Sequence, residues 1–231
     1  MDKNDFIKKF VSEREIDDDG IKRESCLVRA LEDAERFYCQ KDIMKEIVNL
    51  LVYEGNKENT HEIKKLLNQF SDIPFLSLIG YLILLDLIGE VFTDAGNNIT
   101  NAIDYFGSNE LKQYKWEVNA LRNSLAHNYG LINIPERKAH DVNSLHKFIL
   151  SKRRNKDIFV RITNWTREDW NDKSETTSTR VYVDSLIEEI KKLHENLKKE
   201  VIKGNNKLYL SGGIEELKSR FTIIRTDIND N

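Results

Sequence analysis

The sequence predicts a mainly α protein, an antiparallel helical bundle with a small antiparallel β insertion before the last long helix. Three observations carry that expectation. Apolar residues recur at three- and four-residue steps through most of the first 130 positions. After Pro135 the texture changes to short alternating runs rich in β-branched and aromatic residues. An amphipathic stripe then returns over Leu186, Ile187, Ile190, Leu193 and Leu197. At 231 residues the chain is long enough to bury a substantial core.

Taken in order, Leu27, Ala30, Leu31, Ala34 and Phe37 share one helical face, and "KDIMKEIVNLLVYEG" continues the pattern. Thr60 is placed to cap a short helix running to Phe70, and Pro74 separates that helix from the most apolar run, Phe75 to Phe92. "TDAGNNIT" ends that run, "NAIDYFG" forms a short helix, and a long one spans about Asn109 to Asn128, with Gly130 at its C-terminal stop. "KFILSKRRNKDIFVRIT" and "STRVYVD" read as strands of the small sheet. The last long helix starts with Asp184 or Ser185 as cap and stops at Gly204. "KLYL" and "FTIIR" in the tail read as edge strands around a short helix that begins at Gly212 or Gly213. The chain therefore divides into a helical bundle (1–131), a β-rich insertion (132–183), a closing helix (184–204) and a C-terminal tail (205–231).

Charge and composition narrow the function classes. With 36 basic and 39 acidic residues, the chain has no global basic coat, so any anion-binding surface is local. Cys26 and Cys39 form neither a C-x-x-C pair nor a zinc set; no metal and no cofactor is expected, and a reducing cytoplasm fits. The N-terminus lacks a secretory signal pattern. Phe75 to Phe92 approaches the length of a membrane span, but it carries Asp86, Glu90 and two glycines and lacks the flanking basic bias of a span, so it reads as a core helix with no membrane partner. No G-x-S-x-G, H-E-x-x-H or dinucleotide-binding fingerprint is present.

One stretch concentrates chemistry: "LRNSLAHNYG", Leu121 to Gly130. On a helix of 3.6 residues per turn Asn123 and His127 fall four apart on nearly the same face, with Arg122 flanking them. His127 lies in the last turn, where the negative end of the helix dipole favours its protonated form. RNA cleavage by attack of its own 2′-OH needs a group that moves protons and a cation that stabilises the phosphorane. His127 suits the first role and Arg122 the second, because its planar fork meets two phosphate oxygens. Asn123 would orient the imidazole or contact phosphate. An ordinary helix end also accounts for these residues: Arg122 paired with Glu117 or with an acid on a neighbouring helix, Asn123 in solvent, and His127 bonded to a terminal carbonyl. Arg and His at this spacing are expected by chance roughly 0.3 times in a chain of this composition, a weak signal, so Asn123 and Tyr129 carry most of the information.

"RNSLAHNY" resembles the R-polar-x-x-x-H motif of the HEPN superfamily, helical-bundle proteins that include metal-independent RNA nucleases of toxin–antitoxin and phage-defence systems. Tyr129 extends the motif to the R-x4-H-x-Y form of HEPN toxins paired with a nucleotidyltransferase antitoxin. The resemblance implies an endoribonuclease with Arg122, His127 and Asn123 in the site, Tyr129 as a regulatory acceptor of nucleotide, and RNA and a nucleotidyltransferase-type antitoxin as partners. It also implies a homodimer, since one motif supplies one histidine where acid and base roles are both needed. The alternative is a HEPN-like dimer without turnover that binds RNA, nucleotide or protein.

Between Lys147 and Arg167 seven basic residues face the single acid Asp157. Lys152, Arg153, Arg154, Lys156 and Arg161 interleave with aromatics that include Trp165, a texture suited to single-stranded RNA and equally to a solvated hairpin with its aromatics in the core. His140 and His146 lack a zinc spacing and read as surface polar residues. "DDDG" at Asp17 to Gly20 reads as an acidic turn, and "SGGIEEL" from Ser211 as a helix start.

Overall fold

A computed structural model describes residues 1–38, 73–94, 96–128, 131–133, 145–151, 154–161, 165, 175–205 and 207–225, with the side chains of 73–75, 127, 128 and 175 left out. Helix α1 (Lys3–Ser12) is capped by the Asp2 carboxylate, which accepts from the Asn4 and Asp5 amides, and it buries Phe6, Ile7, Phe10 and Val11. Strands β1 (Glu15–Asp18) and β2 (Ile21–Ser25) then form an antiparallel hairpin. Its turn is the expected acidic stretch: Asp19 and Gly20 take φ of 54° and 80°, the left-handed pair that a two-residue hairpin turn requires. The flanking strands were not expected from the sequence. Helix α2 covers residues 26–38 and buries Leu27 and Ala34 as its periodicity predicts, but Phe37 faces outward.

Helix α3 (Ile73–Phe92) begins one residue before Pro74, whose missing N–H costs nothing in a first turn. Among the described residues no helix is long and apolar enough to cross a membrane. Instead α3 packs against α4 (Asn98–Phe106), α6 (Lys115–Asn128) and α7 (Val183–Ile202), and buries Leu78, Tyr81, Leu82, Leu84, Leu85 and Ile88. Asn97 caps α4 through the Thr100 amide, so that helix starts earlier than "NAIDYFG" indicated. The expected helix from Asn109 to Asn128 is two: α5 (Asn109–Gln113), capped by Ser108, and α6, with Tyr114 between them. The expected helices between Cys39 and Phe70, and Gly130, lie outside the described residues.

Four further strands, β3 (Ile132–Asn133), β4 (His146–Ser151), β5 (Phe159–Arg161) and β6 (Thr179–Tyr182), form a sheet in the order β3-β4-β6-β5. It is not purely antiparallel as expected. β6 enters between β4 and β5 and pairs parallel with β4, Phe148 opposite Thr179 and Leu150 opposite Val181. Alternation reports which face of a strand is buried and leaves its partner open.

β6 runs directly into α7, and neither Asp184 nor Ser185 caps it: the Ser185 hydroxyl donates to the Asn155 carbonyl at 2.9 Å and accepts from the Asn155 amide at 3.1 Å. The predicted stripe of α7 is buried throughout, and Gly204 follows its end with φ of 76°. Helix α8 (Gly213–Arg220) starts where "SGG" places it, and Glu216 accepts from the Gly212 amide. "KLYL" forms no strand, whereas "FTIIR" supplies β7 (Thr222–Ile224), which pairs antiparallel with β2, Ser25 opposite Thr222. The tail thereby shares a sheet with the N-terminal hairpin. At that junction the buried Glu24 carboxylate accepts from Arg14, Arg29 and Arg225.

His194 on α7 is 3% exposed, and its Nε2 has no hydrogen-bond partner. Burial pushes its imidazole down; Lys198 adds to that effect, while Glu195, a bond to the Val11 backbone and Glu35 oppose it. An unfolded histidine takes up its proton near pH ~6.5, and the folded site resists it, so stability is expected to be full above that pH and to fall as pH drops below it. Urea midpoints of wild type and His194→Gln at about pH 7.5 and about pH 5.5 check this. The wild type should lose more on acidification, and an identical loss in both chains would refute the assignment.

Candidate functional site

Helix α6 presents the motif because its other side is committed to the core. Val118, Ala120, Leu121, Ser124 and Leu125 are buried, the Ser124 hydroxyl bonding back to the Leu121 carbonyl, while Ala126 is exposed. Arg122 and Asn123 lie on the rim between these faces. Arg122 Nη1 donates to Asn123 Oδ1 at 3.1 Å, and Nη2 forms an ion pair with Asp86 Oδ2 on α3. The Arg122 and Asp86 side chains are 27% and 28% exposed. Asp86 and Glu90 are the only charged residues of α3, and Glu90 pairs with Arg220 of α8. The backbone of His127 lies in the last turn of α6, one helical turn beyond Asn123. Its side chain and the whole of Tyr129 fall outside the described residues.

Glu117 is not the partner of Arg122. Burial pushes the Glu117 carboxyl up, with the charge of Arg161 pulling the other way, and burial pushes the Arg161 guanidinium down. Arg161 also donates to the Leu145 carbonyl at 3.1 Å.

The basic segment splits into exposed loop cations and buried aromatics. Arg154 and Lys156 are exposed, Arg154 Nη1 lying 3.6 Å from Glu188 Oε2; Lys152 and Arg153 lie outside the described residues. Arg161 is part-buried with the neighbours just named. Trp165 is 2% exposed, so its ring is closed to a stacking base, contrary to the expectation from the sequence. Phe148 and Phe159 are buried too, Phe159 against Tyr114. Side chains on one face of a strand share one fate, and here that fate is the core. His146 is likewise a correction: it is 1% exposed, its Nδ1 lies 2.9 Å from Thr179 Oγ1, and its ring stacks on Phe148. His140 lies outside the described residues.

Two residues at the site escaped the sequence reading. The sequence allows an acid on a neighbouring helix as partner of Arg122 without naming it, and marks Asp86 only as a charge unsuited to a membrane span; the structure makes Asp86 that acid. A better signal was available, since an acid in an apolar helix needs a partner and a neighbouring helix has to supply it. Trp116 is 53% exposed on α6, seven and eleven residues before Asn123 and His127. At 100° per residue those intervals bring all three onto one stripe. The Lys115 ammonium lies 5.6 Å from the centre of the Trp116 ring and 2.6 Å from Asp104 Oδ2.

Compared with known proteins, the chain matches no family model, no curated protein and no solved structure.

Proposed function

We propose that this chain is a HEPN-like, metal-independent endoribonuclease of the toxin or phage-defence kind, acting in the cytoplasm as a homodimer of helical bundles. One observation carries the reading: Arg122 and Asn123 of the R-N-x-x-x-H stretch stand side by side on a solvent-reached rim of α6, hydrogen-bonded to each other, with His127 one turn further along the same helix. The ribose 2′-OH attacks the adjacent phosphate, its proton passing to a histidine, and the 5′-oxygen leaves with a proton from the histidine of the second subunit. The products are a 2′,3′-cyclic phosphate and a 5′-hydroxyl. Arg122 balances the charge that grows on the phosphorane, and Asn123 steadies the Arg122 fork. Trp116 offers an exposed ring for a base, and Arg154 and Lys156 offer cations for the backbone. Tyr129 serves as the acceptor through which a nucleotidyltransferase-type antitoxin silences the site.

A second reading, a dimeric RNA- or nucleotide-binding module without turnover, is favoured by the Asp86 carboxylate, which already compensates the charge of Arg122. Purified wild type and His127→Ala incubated with single-stranded RNA in EDTA separate the two. Cleavage that leaves cyclic phosphate ends and slows by about a hundredfold or more in His127→Ala supports the enzyme. Binding without cleavage in both chains supports the module, and neither binding nor cleavage overturns both.

A further inference from the structure

We propose that Asp86 is the positioning residue of Arg122, holding its guanidinium in the plane that meets a phosphate while withholding its charge until one arrives. The inference rests on the ribonuclease reading above. In the 20-residue apolar helix α3 the Asp86 carboxylate points to the rim shared with α6 and takes Arg122 Nη2, while Asn123 Oδ1 takes Nη1. A long flexible side chain is thus held at both terminal nitrogens by groups on two different helices. Two fixed points on a planar ion set its orientation, which a single ion pair does not do.

The carboxylate has a second effect, opposite in sign. It offsets the positive charge of Arg122 in the resting site, so an incoming phosphate competes with Asp86 for the same N–H groups. Removing the acid is therefore expected to favour ground-state binding of RNA while loosening the geometry that the phosphorane needs. Those effects separate in kinetics, because only interactions stronger in the transition state raise turnover. A purely structural ion pair has no reason to split them. Glu90, one turn further along α3, provides the control: it joins Arg220 of α8 in a comparable helix-to-helix pair.

The test measures equilibrium binding and single-turnover cleavage of a single-stranded RNA oligonucleotide by wild type, Asp86→Asn, Asp86→Glu and Glu90→Gln, with folding checked by circular dichroism. Asp86→Asn should cleave about tenfold more slowly or worse while binding as tightly as wild type or a few-fold tighter at low salt. Asp86→Glu should recover most of the rate, and Glu90→Gln should match wild type in both measurements. Asp86→Asn cleaving at the wild-type rate, weakened in binding and cleavage together, or matched in its loss by Glu90→Gln overturns the positioning role and leaves the ribonuclease reading standing. A wild type that never cleaves overturns both.

Discussion

Gly89→Ala is expected to lower the stability of the folded chain by about 3 kcal/mol or more, enough to deplete the folded protein at 37 °C. A Cβ at Gly89 would sit 1.9 Å from the Asn98 carbonyl oxygen and 2.3 Å from its carbon, the closest approach among the described glycines. The obstacle is backbone at the first turn of α4, and Asn97 and Thr100 pin that turn through the cap. No side-chain rearrangement relieves it, so α3 and α4 must separate. Gly80 is the instructive comparison. Its added Cβ would meet the Ala34 Cβ at 2.9 Å, a side-chain atom, so Gly80→Ala should cost less and Ala34→Gly should partly rescue it. Thermal melts of the two alanine variants and the double variant measure this. A Gly89→Ala chain within about 1 kcal/mol of wild type would contradict the α3–α4 packing described above.

Arg122→Lys is expected, on the ribonuclease reading, to slow RNA cleavage by about two to three orders of magnitude although the positive charge is kept. The guanidinium places one terminal nitrogen on Asp86 and the other on Asn123. A lysine ammonium is a single point at the end of a flexible stem, able to satisfy Asp86 but not to span both neighbours in one plane. RNA binding should fall far less than turnover, and the melting temperature should barely move, because a part-exposed ion pair contributes little to stability. Single-turnover cleavage with a binding isotherm decides the matter. Equal losses in binding and rate would show that Arg122 serves as a general phosphate anchor and not as a transition-state contact.

The helical character was legible because local rules dictate it: the stripes of α2 and α7 and the apolar run of α3 each declare a buried face within one stretch of chain. The N-terminal hairpin was hidden for the opposite reason. Its Asp19–Gly20 turn was visible, but β2 is flanked on one side by β7, about two hundred residues away, and no local pattern reports such a partner. The start of α7 was hidden because β6 runs straight into it, which overrides the cap propensity of Asp184 and Ser185. Within the site, the spacing of Arg122, Asn123 and His127 could be read directly, since residues one to five apart on a helix have a fixed angular relation.

By itself the sequence determined that this is a mainly helical chain and that one helix carries arginine, asparagine and histidine within a turn and a half. Only the tertiary structure decided that Asp86 takes Arg122, that Glu117 lies near Arg161 instead, that Trp165 is closed off while Trp116 is open, and that β6 lies parallel to β4. The physical reason is one of range. Periodicity fixes which side of an element is apolar, but which surfaces meet depends on the packing of the whole chain, and ion pairs, ring exposure and strand order follow from those meetings.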